Sequence, residues 1–167
     1  MNTLIVYYSL SGHTHKIAEE IAKGLGADYE QLKDLQPRAG LLGSLKTIYQ
    51  TVFSRECQLK PISNNLDDYE LIVIGGPVWI GNISSPVRSF IAKHKEQLNK
   101  LAFFCTEGSS GGLRVFKSLE KICAKQAIAT LEVTEADIKS GQYNEKIDSF
   151  INTCKSSMAD VKDSVAA

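Results

Sequence analysis

At 167 residues, with 43% hydrophobic and 23% charged side chains, the chain has the size and composition of one soluble globular domain around a single core, which excludes disorder. Its 19 basic residues balance its 19 acidic ones and the pI lies near 6.8, so no strong field draws it to nucleic acid or to an anionic membrane surface. No apolar stretch approaches the roughly 20 residues that span a bilayer, and Met1 leads almost directly into an apolar strand without the marks of an export signal, so a cytoplasmic address is expected.

Thr3 to Tyr8 is a continuous apolar and aromatic run of strand length, as expected for a strand covered on both faces. From Thr14 to Leu25, Ile17, Ala18, Ile21, Ala22 and Leu25 recur with helical spacing, and Gly26 stands where that helix should stop. Tyr29 to Leu32 reads as a short second strand. The stretch from Pro37 to Glu56 places Leu41, Leu42, Leu45, Ile48, Tyr49, Val52 and Phe53 at helical spacing, the pattern of a crossover helix on the sheet. Its beginning is expected near the ligand crevice, covering the ring edge of a ligand or forming a subunit contact.

Leu71 to Ile74 is a third strand ended by Gly75-Gly76-Pro77, and Pro86 opens a helix carrying Val87, Phe90, Ile91 and Leu98. Leu101 to Cys105 makes a fourth strand, followed by a Gly/Ser-rich loop and a helix with Val115, Phe116, Leu119, Ile122 and Cys123. A fifth strand runs from Ala129 to Val133, and a last helix turns Ile147, Phe150, Ile151 and Cys154 inward. The expected domain covers residues 1–157, with a polar, fraying tail over 158–167. Cys57, Cys105, Cys123 and Cys154 form no CxxC pair or metal-ligand spacing and read as free thiols, with Cys57 the most exposed. No metal site is expected.

Strands alternating with amphipathic helices give a doubly wound α/β sandwich, because each parallel connection must cross over the sheet. Ligands bind such sheets outside the carboxyl ends of the strands, where the strand order reverses. Three loops fall there. In Ser9-Leu10-Ser11-Gly12-His13-Thr14, three hydroxyls, a tight Gly turn and the free amides of a helix N-terminus suit a phosphate, although an ordinary capped turn has the same composition. The loop has neither GxGxxG nor a P-loop signature, and no Lys or Arg. Gly75 to Asn82 carries the only tryptophan, Trp79, which either stacks on a flat ring or packs as core. Thr106 to Gly112 can bring its backbone close to a ligand, or serve as a flexible connector.

Tyr8-Ser9-x-Ser11-Gly12-x-Thr14 resembles the flavodoxin phosphate-loop signature, and the Gly/Pro/Trp-bearing and Gly-rich loops follow in flavodoxin order. Gly40-Leu41-Leu42-Gly43-x-Leu45-Lys46 and Thr106-Glu107-Gly108 are similar to the short, single-domain flavodoxin-like proteins, and the likeness spans nearly the whole chain. The resemblance implies a flavodoxin-like three-layer fold with a five-stranded parallel sheet of order 2-1-3-4-5 and noncovalent FMN. It implies a 5'-phosphate held at Ser9, Ser11, Gly12, His13 and Thr14. The ring would lie between Pro77, Val78, Trp79, Ile80, Gly81 and Asn82 on one side and Thr106, Glu107, Gly108, Ser109, Gly111 and Gly112 on the other.

Flavodoxins that shuttle electrons are usually strongly acidic, and this chain is neutral, which weakens a pure carrier role. No long insertion interrupts the fifth strand, and His13 reads as a backbone amide donor rather than a catalytic acid. The functional expectation is an FMN-dependent electron-transfer protein or oxidoreductase without catalytic acid, base or nucleophile of its own. A redox partner protein, NAD(P)H or a quinone would be the exchange partner, and a homodimer is open. The alternative is a module that binds FMN or another phosphate ester for storage or sensing. A phosphoacceptor receiver fits less well, since Tyr8-Ser9 stands where its acid would be.

Overall fold

The computed structural model describes residues 2–35, 57–79, 81–108 and 111–165. The helix expected within Pro37 to Glu56, and the site candidates Ile80 and Ser109, lie outside the described residues.

Five strands form the main sheet: β1 (Thr3–Tyr7), β2 (Asp28–Gln31), β3 (Leu71–Trp79), β5 (Lys100–Glu107) and β6 (Ala127–Thr134), in the order β2-β1-β3-β5-β6 and parallel throughout. This is the expected 2-1-3-4-5 order once the two-residue strand β4 (Asn82–Ile83), which folds back antiparallel on β3, is set aside. The α-helices of the described residues are α1 (His13–Leu25), α2 (Ser85–His94), α3 (Gly112–Cys123), α4 (Glu135–Ser140) and α5 (Tyr143–Val165).

Side chains alternate across each strand, so the apolar run of β1 feeds two cores. Ile5 and Tyr7 pack with Ile17 and Ile21 of α1 and Phe150 and Ile151 of α5. Leu4 and Val6 face the other way, toward Val87 and Phe90 of α2 and Val115 and Leu119 of α3. Each such side chain is buried, and full burial of a Leu, Ile or Phe is worth about 1.5–3 kcal/mol against exposure.

Several boundaries move from their expected places. β3 does not stop at Gly75 but runs through Gly75-Gly76-Pro77 to Trp79, paired with β5 as far as Pro77↔Thr106. Its pairing with β1 ends at Gly75, so the amide that Pro77 lacks is not missed from that ladder. β5 likewise extends to Glu107, opposite Thr134, which makes Thr106 and Glu107 strand residues and starts the third loop at Gly108. α2 ends at His94. Leu98, expected on that helix, is buried beyond a 3-10 turn at Lys95–Gln97. Ile122 of α3 is at the surface. α4 is an additional helix, and α5 continues to Val165, with Met158 buried on it.

Cys105, Cys123 and Cys154 are buried free thiols and Cys57 is partly exposed. Burial pushes the Cys123 thiol up to about 11 and the Cys154 thiol up to about 12, so both stay neutral packing groups. Among the described residues no group of His, Cys, Asp and Glu is arranged to hold a metal ion, and no helix is long and apolar enough to cross a membrane.

Candidate functional site

The loops after β1, β3 and β5 meet at the carboxyl edge of the sheet, at the switch point between β1 and β3. β1 leaves the sheet at Tyr8, whose amide donates to Gly75 O at 3.0 Å. The chain then turns at Gly12, with φ 91°, directly into α1. Ser9 is half-buried. Its hydroxyl accepts from the His15 amide at 3.2 Å, and its carbonyl accepts from Gln31 Nε2 at 3.1 Å. The Lys16 amide returns to Gly12 O.

With the His15 amide satisfied by Ser9, the first-turn amides of His13 and Thr14 find no acceptor among the described residues. A helix start with free N–H groups, a positive dipole end and no acid in its first turn is chemically an anion acceptor. Ser11, Gly12 and His13 are exposed around it. Thr14 is not: it is buried, and its hydroxyl lies 2.8 Å from that of Thr106. That pair ties the first loop to the end of β5 and spends one hydroxyl that composition alone assigns to a ligand.

The second and third loops close on each other. Pro77 and Val78 are buried, Trp79 stands half-buried at the end of β3, and Asn82 pairs with Trp79 in the β3–β4 ladder. Trp79 is therefore neither core nor free surface. Gly111, with φ 136°, occupies a conformation that residues with a Cβ rarely adopt, and that Cβ would stand 3.4 Å from Gly81 Cα and 3.7 Å from Val78 Cγ1. Gly108 is exposed, and Gly112 opens α3 with its amide donating to Glu132 Oε1 at 3.1 Å. Glu107 is buried, 6% exposed, with neither carboxyl oxygen hydrogen-bonded among the described residues.

Sequence reasoning passed over four residues of this region. Gln31 pins the carbonyl of Ser9, and Glu132 holds the start of α3. Tyr7 and His15 form a pair under the first loop, with the Tyr7 hydroxyl 2.6 Å from His15 Nδ1 and the rings stacked. Burial, then Tyr29 and Glu19, push the Tyr7 hydroxyl up to about 12, so it stays protonated. The signal for Glu132 was present, as a single acid between Leu131 and Val133 of an otherwise apolar run. Nothing local marks Gln31.

The flavodoxin family model matches residues 2–152, which is most of the chain. The chain belongs to the flavodoxin family. Among solved structures, it is similar to a flavoprotein from Lactobacillus acidophilus in complex with FMN, with TM-score 0.62 and 24% identity over 83% of this chain and 97% of that one. It is also similar to the flavodoxin of Streptococcus pneumonia, with TM-score 0.58 and 10% identity over 94% and 99% of the two chains. A third likeness is to the flavodoxin of Megasphaera elsdenii, with TM-score 0.54 and 18% identity over 80% and 86%. At these identities the likeness is one of fold. A curated relative from Geotalea uraniireducens, named NAD(P)H dehydrogenase (quinone), is 29% identical over 99 residues, 54% of this chain and 47% of the relative. The chain thus spans about half the length of that relative.

Proposed function

We propose that this flavodoxin-family chain binds FMN in the crevice between its three loops and exchanges electrons through it. The observation that carries the reading is the start of α1, where the His13 and Thr14 amides find no acceptor among the described residues, beside the exposed Ser11, at the switch point of the sheet. A phosphate monoester meets those donors without needing a Lys or Arg. The candidate ring site also suits a flat heterocycle. Trp79 offers an apolar face, Gly81 leaves the main chain open to approach, and Glu107 brings a carboxyl without a hydrogen bond among the described residues to the same seam.

FMN, when bound, supplies one- and two-electron redox chemistry. The chain's own residues bind and orient it. Ser11, Gly12, His13 and Thr14 would hold the phosphate, and Ser9 and Gln31 would keep that loop in shape. Pro77, Val78, Trp79, Gly81 and Asn82 would flank the ring on one side, with Thr106, Glu107, Gly108, Gly111 and Gly112 on the other. No side chain is needed as nucleophile.

Between a carrier and a reductase, the neutral charge and the Geotalea relative favour a reductase that takes electrons from NAD(P)H and passes them to a quinone-like acceptor. Anaerobic mixing of the FMN-loaded protein with NADH or NADPH tests this. Bleaching of the flavin absorbance followed by quinone-dependent turnover is expected. Reduction only through a protein reductase would make it a carrier, and a colourless protein that fails to take up FMN would end the redox reading.

The phosphate assignment has its own test in the double substitution Ser11→Asp, His13→Asp. Acids at a helix start favour the helix, so folding should hold or improve. Two carboxylates facing a phosphate dianion should weaken FMN binding by about 100-fold or more. A folded double variant that binds FMN as tightly as the parent would place the phosphate elsewhere.

A further inference from the structure

Among the described residues Glu107 is the one charged side chain that is buried. Its Oε2 lies 3.4 Å from the point where a Cβ on Gly111 would stand, and that point is also 3.4 Å from Gly81 Cα. The carboxyl therefore faces the seam between the second and third loops. Around it the structure offers little that tolerates a negative charge. Glu132 faces it from β6, and the Cys105 thiol, itself kept neutral by burial, lies on its own strand. From β3 and the second loop it meets Val78 and main chain, and from the start of α3 it meets the Gly111 and Gly112 backbone, a weakly favourable neighbour. No Lys or Arg of the described residues compensates it.

Two carboxyls in such a place cannot both ionise cheaply, and the lower-energy state keeps one proton between them. Glu107 is the more deeply buried of the two, and burial favours the uncharged form. The proton then belongs to Glu107. An acid in that form donates through its O–H as well as accepting, and neither oxygen of Glu107 makes a hydrogen bond among the described residues.

Resting on the FMN reading above, we propose that Glu107 stands at the crevice as a neutral carboxylic acid beside Glu132 and donates its proton in a hydrogen bond to an acceptor atom on the edge of the flavin ring at the Gly81–Gly111 seam. It is thus a residue that selects for a ring presenting a carbonyl or bare ring nitrogen there. Burial, and then the neighbouring Glu132, push its carboxyl up to about 7.

The test follows FMN affinity by flavin fluorescence from pH 5.5 to 9 in the parent and in Glu107→Gln, a neutral donor of the same shape. The difference between the two profiles removes the titration of the FMN phosphate itself. The dissociation constant of the parent should rise relative to the variant above about pH 7, approaching tenfold per pH unit, and the two should agree near pH 6. Carbon NMR of glutamate-labelled apoprotein reads the same carboxyl without flavin. One resonance should titrate near pH 7, vanish in Glu107→Gln, and move to lower pH in Glu132→Gln. A Glu107 resonance titrating near pH 4, parallel pH profiles of parent and variant, or a midpoint unmoved by Glu132→Gln would each overturn the proposal and leave FMN binding standing. Absence of FMN binding in the folded parent would overturn both.

Discussion

Gly75→Ala should be among the most damaging single-methyl additions in this protein. A Cβ at Gly75 would fall 2.0 Å from Cε1, 2.1 Å from Cζ and 2.4 Å from Cδ1 of Phe104, its register partner on β5. Carbon atoms rest at about 3.5–4.0 Å, so the ring would have to withdraw by roughly 1.5 Å. Phe104 is fully buried, in a cluster with Tyr7, Ile17 and Val133, and has no solvent to move into. Overpacking of this kind costs about 1–3 kcal/mol. With β3 and β5 at the centre of the sheet, the upper end is expected, which for a chain of this length lowers Tm by about 6–12 °C. Urea unfolding followed by circular dichroism measures the loss, and a double-mutant cycle with Phe104→Leu identifies its cause. Leu lacks the ring edge, so the double variant should be more stable than the summed single effects allow, by about 1–3 kcal/mol. A Gly75→Ala protein within about 0.5 kcal/mol of the parent, or strict additivity with Phe104→Leu, would refute the argument.

Thr106→Val keeps the shape of the β5 end but strands the buried Thr14 hydroxyl, at a cost of about 1–3 kcal/mol in urea unfolding, while Thr106→Ser should restore stability. Asp137→Ala removes the capping box that starts α4, in which Asp137 accepts from the Thr134 amide at 2.8 Å and binds Lys146 Nζ at 2.7 Å; about 1 kcal/mol should go with it. Lys146, followed by Thr134, holds the Asp137 carboxyl down at about 2. The stabilisation is therefore complete above the unfolded value near 4 and is lost as pH falls toward 2. Parent and variant melting curves should accordingly be well separated at pH 6 and converge near pH 2.

Elements that own an apolar stripe were readable from sequence: α1, with Ile17, Ala18, Ile21, Ala22 and Leu25 buried, and the runs of β1 and β5. What escaped was set by pairing and capping rather than by pattern. Asn82–Ile83 becomes a strand only because β3 overruns Gly75-Gly76-Pro77 and leaves it an edge to join. α4 has no buried residue and owes its start to Thr134 and Asp137, a capping signal visible only to a reader not looking for hydrophobic period. Glu107 reads as a polar loop residue because an acid seldom lies inside a strand end, whereas its pairing opposite Thr134 draws it in. The three loops were legible as candidates. That Thr14 spends its hydroxyl on Thr106, and that Gln31 braces Ser9, depends on contacts 92 and 22 residues apart.

The two ends of the crevice differ in the charge they accept, and this gives a bound ligand a direction. At the α1 end two helix amides have no acceptor among the described residues and the first turn carries no acid, so an anion lowers the energy there. At the Gly81–Gly111 seam the proposed neutral Glu107 has an acidic neighbour and no Lys or Arg of the described residues beside it, so a phosphate dianion finds no positive charge there, whereas a neutral acceptor finds a donor. The Thr14–Thr106 bond couples the two regions, since it joins the first turn of α1 to the residue before Glu107. A molecule with a dianionic phosphate at one end and a neutral, carbonyl-bearing ring at the other meets both conditions in only one orientation. A free phosphate meets the first alone. A ring without phosphate meets only the second, so FMN should bind much more tightly than riboflavin, and Ser11→Asp, His13→Asp should erase that difference while Glu107→Gln leaves it intact.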